Sequence, residues 1–224
     1  MIEDIAAARD AEYKGLFATP LIVSDLADAD ALIEDLKQVI LDRAASHPSS
    51  SRSNKGGWQS DTSMLKWGGE PAFKLATLIL HMCARFTRDI GQTDPEKPRF
   101  EWLAEMWGNI CPPSIGHESH THPGCLWSIV FYVDDGLAEG EDEEKAGQIV
   151  LQDPRNPMPV MYKPDLRMME ADGSTYRSDH RLSPKVGRLI AFPAWLAHWV
   201  TPHRGSRDRI SIAVNTLAVP ARNM

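Results

Sequence analysis

The stretch that decides the fold is His117-Glu118-Ser119-His120-Thr121-His122-Pro123, followed closely by the apolar run Trp127–Val133. It gathers three of the eight histidines of the chain just before a strand-like segment. Side chains two residues apart on a strand point to the same face, so His120 and His122 are predicted to point together into the mouth of a β-barrel. A pair of imidazoles suits iron, zinc, nickel or copper better than magnesium or calcium. We therefore interpret this pair as metal ligands.

A third candidate metal ligand, His198, comes much later in the chain. It ends the stretch Gly187–His198, in which an apolar strand is followed by a turn marked by Pro193. A histidine placed there can reach across a barrel mouth to the first pair. The other interpretation is that His198 packs beside Trp195 and Trp199 as a core or rim residue.

A basic residue follows about ten positions after His198, at the start of the strand-like run Arg209–Asn215. Alternation places Arg209, Ser211 and Ala213 on one face of that strand. An arginine facing inward is costly unless it is paired, and a carboxylate is its natural bidentate partner. Spacing alone leaves two partners open, the carboxylate of a bound ligand and a structural aspartate.

The remainder of the chain predicts a mainly β fold with flanking helices. After Pro98, short apolar or alternating runs are separated by turn residues, which is typical of an all-β sandwich or barrel. These runs are Phe100–Asn109, Trp127–Val133, Gly147–Leu151, Pro159–Tyr162, Gly187–Phe192, Trp199–Thr201 and Arg209–Leu217. The polar stretch 163–183 is expected to be a long loop that could cover a site.

Before Pro98, apolar residues at helical spacing predict one helix over about residues 28–45 and another from Pro71 to Ile90. The segment Leu16–Val23 is expected at a sheet edge, because Pro20 lacks the backbone donor that a central strand needs. We expect a single domain over residues 1–224. An extended segment and supporting helices would fill 1–98, and the β core would fill 99–224.

Composition narrows the functional classes. The 224 residues carry a formal net charge of −7, which argues against non-specific nucleic-acid binding. The three cysteines form no CxxC pair and are interpreted as buried small residues in a reducing compartment. No signal peptide or membrane-spanning run is apparent, so a cytoplasmic location is expected. Exposed barrel edges would be compatible with a homodimer.

Taken together, these motifs resemble the Fe(II)- and 2-oxoglutarate-dependent oxygenase superfamily. That family combines a His-x-Asp/Glu motif, a distal histidine and an Arg-x-Ser motif on a double-stranded β-helix, a jelly-roll barrel of cupin-like shape. The resemblance covers roughly residues 16–217, and six segments carry it. They are Gly56–Ser60, His120–Pro123, Phe131–Val133, Gly147–Pro154, Phe192–His198 and Arg209–Ile212.

The resemblance implies an oxygenase that couples 2-oxoglutarate decarboxylation to oxidation of a small-molecule or peptide substrate, which the sequence leaves unidentified. His120, His122 and His198 would bind Fe(II), and no catalytic residue is expected beyond this metal centre. Arg209 and Ser211 would hold the distal carboxylate of 2-oxoglutarate, with Tyr132 assisting. Arg207 is the fallback for Arg209.

The chain departs from the family pattern where His122 occupies the carboxylate position. Glu118 is a minor candidate for the missing carboxylate. Three-histidine sites are typical of some cupin-type dioxygenases, which use O2 without 2-oxoglutarate, and the Gly187–His198 spacing also resembles the second cupin motif. A cupin-type dioxygenase and a non-catalytic jelly roll that binds metal or a small ligand therefore stay open. The Arg209-x-Ser211 motif is unexplained by the cupin reading.

Overall fold

The computed structural model of the protein describes residues 14–50, 54, 56–94, 97–156, 163, 165–170 and 172–221. The helices within these ranges are α1 (Asp30–Ser46), α2 (Met64–Trp67), α3 (Gly69–Arg85) and a 3-10 helix (Glu143–Ala146). The strands are β1 (Ile22–Asp25), β2 (Trp58–Gln59), β3 (Phe100–Cys111), β4 (His117–His120), β5 (Trp127–Asp135), β6 (Ile149–Gln152), β7 (Asp179–Leu182), β8 (Arg188–Pro193), β9 (His198–Val200) and β10 (Arg209–Pro220).

The strands form two antiparallel sheets. The larger sheet has six strands in the order β1-β8-β5-β10-β3-β2, and the smaller has four in the order β4-β9-β6-β7. Apolar residues of both sheets, among them Tyr132, Ile149, Leu151, Ile190 and Phe192, form one buried cluster between them. The space between the sheets is therefore partly a packed core and partly a cavity.

Alternation along β10 separates the core from the cavity. Ile210, Ile212 and Val214 are buried in the cluster that the helices cover. Arg209, Ser211 and Ala213 line the cavity on the opposite face. The odd-numbered side of this strand therefore carries polar groups into the interior, while the even-numbered side holds the sheet against the helices.

Helices α1 and α3 cover the outer face of the larger sheet. Their buried residues repeat at three- and four-residue intervals, as expected for an amphipathic helix packed on a sheet, and are Ile33, Leu36 and Ile40 in α1 and Ala72, Leu75, Ala76, Ile79 and Cys83 in α3. Gly108 on β3 makes room for this packing, since a Cβ there would lie 3.0 Å from Ile40.

The predicted mainly β fold with flanking helices is confirmed, with local differences. Strand β1 lies at a sheet edge, as Pro20 suggested. Helix α3 ends at Arg85, short of the predicted Ile90, which is 99% exposed and has nothing to pack against. The polar stretch 163–183 contains β7 as well as loop.

The predicted run Pro159–Tyr162 lies outside the described residues. The proposed division of one domain into residues 1–98 and 99–224 stays a prediction. β1 and β2, from the first part, pair with β8 and β3 of the second.

None of the helices in the described ranges is both long enough and apolar enough to cross a membrane.

Candidate metal centre

Three histidine side chains lie close together beside strands β4 and β9 of the smaller sheet. His120 ends β4 and lies directly opposite His198, which begins β9. His122 follows two residues later, and the ring nitrogens that the three residues offer all lie within 4.8 Å of one another. The ring centroids are 4.4 Å apart for His120 and His198, 4.9 Å for His120 and His122, and 5.2 Å for His122 and His198. The structure thus brings together the three histidines that the sequence predicted as metal ligands.

Backbone carbonyls orient two of the three rings. His120 Nδ1 lies 2.7 Å from the carbonyl oxygen of Glu118, and His198 Nδ1 lies 2.8 Å from that of Leu196. A carbonyl can only accept, so each Nδ1 carries the proton and each Nε2 keeps its lone pair. Such an arrangement is common among metal-binding histidines, because the second hydrogen bond fixes both tautomer and ring orientation.

His122 lies beside His120, but strand alternation, which predicted this position, is not its cause. Strand β4 ends at His120, and His122 lies in the following loop. The backbone N–H of His122 donates to the carbonyl of Ala194 at 2.9 Å. Its ring lies 6.0 Å from the ring of Trp107, measured between centroids. A loop held to the β8–β9 connection therefore delivers the second histidine.

Burial keeps two of the imidazoles neutral. Loss of solvation, with a smaller contribution from the nearby His120, lowers the pKa of His198 to about 3 and that of His122 to about 4. Uncharged imidazole is the form that binds a metal, so these two residues are ready as ligands at neutral pH without first losing a proton.

Arg209 lies in the same cavity as the histidines and is only 2% exposed. Its Nη1 lies 3.5 Å from the carbonyl of Ala146, and within the described residues it forms no salt bridge with any carboxylate. Taking an unpaired guanidinium out of water is costly. Burial raises the pKa of Cys111 and that of Tyr132, and the positive charge of Arg209 partly offsets both rises. A bound organic acid would satisfy this cation.

Ser211 and Tyr132, the other predicted co-substrate residues, face the same cavity. They lie opposite each other on β10 and β5, and both are buried, with 7% and 2% exposure. Burial raises the pKa of Tyr132 to about 12, which keeps its hydroxyl protonated and able to donate. The fallback residue Arg207 is engaged elsewhere, because its Nη2 lies 2.9 Å from Asp134 Oδ1.

Two further residues of the cavity were not identified from sequence. His117 lies 3.1 Å from the sulfur of Cys111 through its Nε2, and burial lowers its pKa to about 3. Asn109 is 2% exposed, and none of the described residues donates a hydrogen bond to its Oδ1. For Asn109 the available signal was its odd-numbered position on β3, since these positions share a face with the odd-numbered positions of β10.

The donor set fits a divalent transition metal beside an organic acid. Three imidazole nitrogens are borderline ligands of the kind that iron and zinc accept, and the unpaired arginine supplies the anion-binding group. Glu118 is exposed and is not part of the histidine cluster. The free space lined by the arginine and the histidines is about 50 Å³.

Comparisons with known proteins agree with this arrangement. Residues 105–215 match the family model described as "Putative 2OG-Fe(II) oxygenase". A search of curated proteins finds no match. Among solved structures, a Pseudomonas putida prolyl-4-hydroxylase superposes with a TM-score of 0.55 at 16% identity, covering 89% of this chain and 92% of the other.

Two other structures are similar over a comparable length. A Trichoplax adhaerens prolyl hydroxylase, in complex with a hypoxia inducible factor peptide fragment, gives a TM-score of 0.58 at 12% identity over 88% of this chain and 83% of the other. The non-heme alpha ketoglutarate dependent epimerase SnoN, from nogalamycin biosynthesis, gives 0.60 at 12% identity over 89% and 76%. At such identities the likeness concerns the fold, and it confirms the predicted double-stranded β-helix.

The segment that matches the family model contains the three clustered histidines, the buried arginine and most of the two sheets that hold them. The chain therefore belongs to the family of 2OG-Fe(II) oxygenases.

Proposed function

We propose that the protein uses Fe(II) and 2-oxoglutarate to oxidise a C–H bond of a small-molecule or peptide substrate. His120, His122 and His198 would bind the metal, and Arg209 would bind the distal carboxylate of 2-oxoglutarate. The bound metal would supply activation of O2, coupled to decarboxylation of the 2-oxo acid. A peptide is included because the similar Trichoplax adhaerens prolyl hydroxylase is in complex with one.

The observation that carries this proposal is the buried, carboxylate-free Arg209 in the same cavity as the histidines. A metal-binding jelly roll with no acidic co-substrate would have no need for a guanidinium at that depth. Hydrogen bonds to charged groups contribute about 1.5–3 kcal/mol each, so a carboxylate paired with Arg209 would be held firmly.

Neighbouring side chains would orient the co-substrate and exclude water. The hydroxyls of Ser211 and Tyr132 can donate to the same carboxylate, one from each of two adjacent strands. Ile149, Phe192 and Val200 supply apolar walls to the cavity. The low polarity of these walls would strengthen the ionic contact between Arg209 and the carboxylate. That contact would fix the position of the acid relative to the histidines.

The test is calorimetric binding of 2-oxoglutarate to the Fe(II)-loaded protein without oxygen. Replacing Arg209 with glutamine should weaken binding at least about tenfold, because a charge-assisted contact is lost. Arg207→Gln is the matched control, since the side chain of Arg207 is half-exposed and pairs with Asp134. Unchanged affinity in Arg209→Gln, or loss of affinity in Arg207→Gln, would contradict the assignment.

The three-histidine ligand set favours a second candidate, a cupin-type dioxygenase that uses O2 without 2-oxoglutarate. Replacing the usual carboxylate with His122 leaves a metal site with one more positive charge. Conversion of 2-oxoglutarate to succinate by the iron-loaded protein in air separates the two candidates. Oxygen consumption without succinate would support the cupin-type enzyme.

A further inference from the structure

A second cavity opens on the other side of the histidines. It has a volume of about 430 Å³ and shares His120, His122 and Trp107 with the arginine-containing cavity. We call it the acidic pocket. The remaining residues of its wall that matter here are Gln59, Thr62, Glu105, Glu118 and Asn215. It is far larger than the space beside Arg209, and it borders two of the proposed metal ligands.

Paired strands give the interior opposite charges at its two ends. On β10, Arg209 and Asn215 share the inward face and stand six residues apart, about 20 Å at the usual strand rise. Glu105 on β3 is the cross-strand partner of Asn215, and Cys111 is that of Arg209. This face is thus cationic at the buried end proposed for 2-oxoglutarate and carries an exposed carboxylate, Glu105, at the other end.

The wall of the acidic pocket contains a buried acceptor, the side-chain oxygen of Asn215. Asn215 is only 4% exposed, and no described residue donates a hydrogen bond to its Oδ1. A buried amide oxygen that accepts no hydrogen bond is destabilising, because it has given up its hydrogen bonds to water. The residue lines the cavity, so a donor brought in by a ligand would remove this cost.

The charged groups around the pocket point to the same ligand chemistry. Glu105 and Glu118 are exposed carboxylates at its rim, and neither lysine nor arginine is among the described residues that line it. Glu105 also forms no salt bridge in the described part of the chain. Trp107 adds an aromatic wall, which attracts cations when they approach its face.

We propose that the acidic pocket binds the reacting substrate, and that this substrate carries an organic cation with N–H donors, a primary amine or a guanidinium. The proposal rests on the function proposed above, because only the metal centre makes this cavity a site of oxidation. Glu105 would pair with the cation, Asn215 would accept one of its N–H groups, and Trp107 would pack against its alkyl chain. Glu105 is thus a specificity-determining residue.

Four blocked amino acids serve as probes. The N-acetyl methylamides of lysine and arginine carry the cation, that of norleucine is neutral, and that of glutamic acid is anionic. Binding is measured by calorimetry without oxygen, on the Fe(II)-loaded protein with and without 2-oxoglutarate. The cationic probes should bind at least about tenfold more tightly than norleucine, and the preference should shrink as salt is raised.

Glu105→Gln should remove the preference for cations, since it keeps the shape of the side chain and deletes its charge. Glu139→Gln is the control, because Glu139 is an exposed carboxylate that does not line the pocket. Arg209→Gln should weaken 2-oxoglutarate and leave the cationic probes unaffected. The two proposals are therefore tested separately. Glu105→Gln tests cation binding in the acidic pocket, and Arg209→Gln tests the binding of 2-oxoglutarate.

Equal affinity for charged and neutral probes would overturn the proposal. So would a cation preference that survives Glu105→Gln, or no binding of either cationic probe at millimolar concentration. If the wild-type protein does not bind 2-oxoglutarate but does prefer the cationic probes, the result would count against the proposed function alone.

Discussion

Gly147 makes possible the close approach of the backbone to Arg209. It has a φ of +69°, and a Cβ there would lie 2.7 Å from the carbonyl oxygen of Thr201 and 2.9 Å from Arg209 Nη1. Gly147→Ala should lower the free energy of unfolding by about 1–3 kcal/mol, from strain at an unusual φ. It should also weaken 2-oxoglutarate binding by displacing the guanidinium. Denaturant unfolding and calorimetry measure the two effects.

Gly140→Ala is the matched control for Gly147→Ala. Gly140 also has a positive φ, +82°, but a Cβ there would meet nothing within 4 Å. It should therefore show the strain without the loss of affinity. Normal 2-oxoglutarate binding in Gly147→Ala would mean that the position of Arg209 is unimportant for the co-substrate.

The sequence predicted which residues cluster at the site more successfully than it predicted the backbone structure that brings them together. His120, His122 and His198 were chosen from their motifs, and they do cluster. The role of alternation was wrong for His122, because a loop contact to Ala194 places it. His117 was missed, since its approach to Cys111 depends on the pairing of distant strands and leaves no local pattern.

Among the elements, β1 is tied to the larger sheet by an ion cluster at its end. Arg188 hydrogen-bonds Asp25 at 2.8 and 3.0 Å, and Lys185 does so at 2.8 Å. These two cations, Arg188 first, hold the pKa of the Asp25 carboxyl well below its usual value of 3.8. A carboxylate with a lowered folded-state pKa stabilises the fold above its unfolded pKa, and this contribution is lost as pH falls below it.

Asp25→Asn should therefore lower the free energy of unfolding at neutral pH by less than about 1 kcal/mol, because the cluster is largely solvent-exposed. The difference between wild type and variant should shrink as pH falls from about 5 towards 2. Urea unfolding at a series of pH values measures it. A difference that grows on acidification would contradict the assigned sign.

At this scale the sequence predicted the long elements and the short apolar strands β6, β8 and β9, but it missed short strands that are mostly polar. Long runs with clear periodicity, such as those of α1, β3, β5 and β10, carry their own signal. Strands β4 and β7 have four residues each and are mostly polar, so neighbouring strands rather than their own composition define them. The end of α3 was overestimated because apolar Phe86 and Ile90 continue its pattern but remain exposed.

Across the whole molecule, the three cysteines differ in accessibility. Cys83 and Cys111 are fully buried, while Cys125 is partly exposed beside the histidine loop. Burial raises the pKa of Cys83 to about 11 and also raises that of Cys111. In native protein at neutral pH, a thiol reagent should modify Cys125 first, with the other two following only on unfolding.

Mass spectrometry after timed labelling identifies the modified residue, and Cys125→Ser should abolish the fast phase. Rapid labelling of Cys83 in native protein would show that α3 separates readily from the sheet, since this residue packs between them.

Strand β10 sends Arg209, Ser211, Ala213 and Asn215 to one side and Ile210, Ile212 and Val214 to the other. Point substitutions at odd positions can therefore retune which molecules the enzyme accepts, leaving the hydrophobic layer untouched. An insertion or deletion of one residue would exchange the faces of the two sets of side chains. The guanidinium of Arg209 would then point into the hydrophobic layer. Over evolutionary time this strand can therefore accept substitutions at odd positions, but it cannot accept a one-residue insertion or deletion.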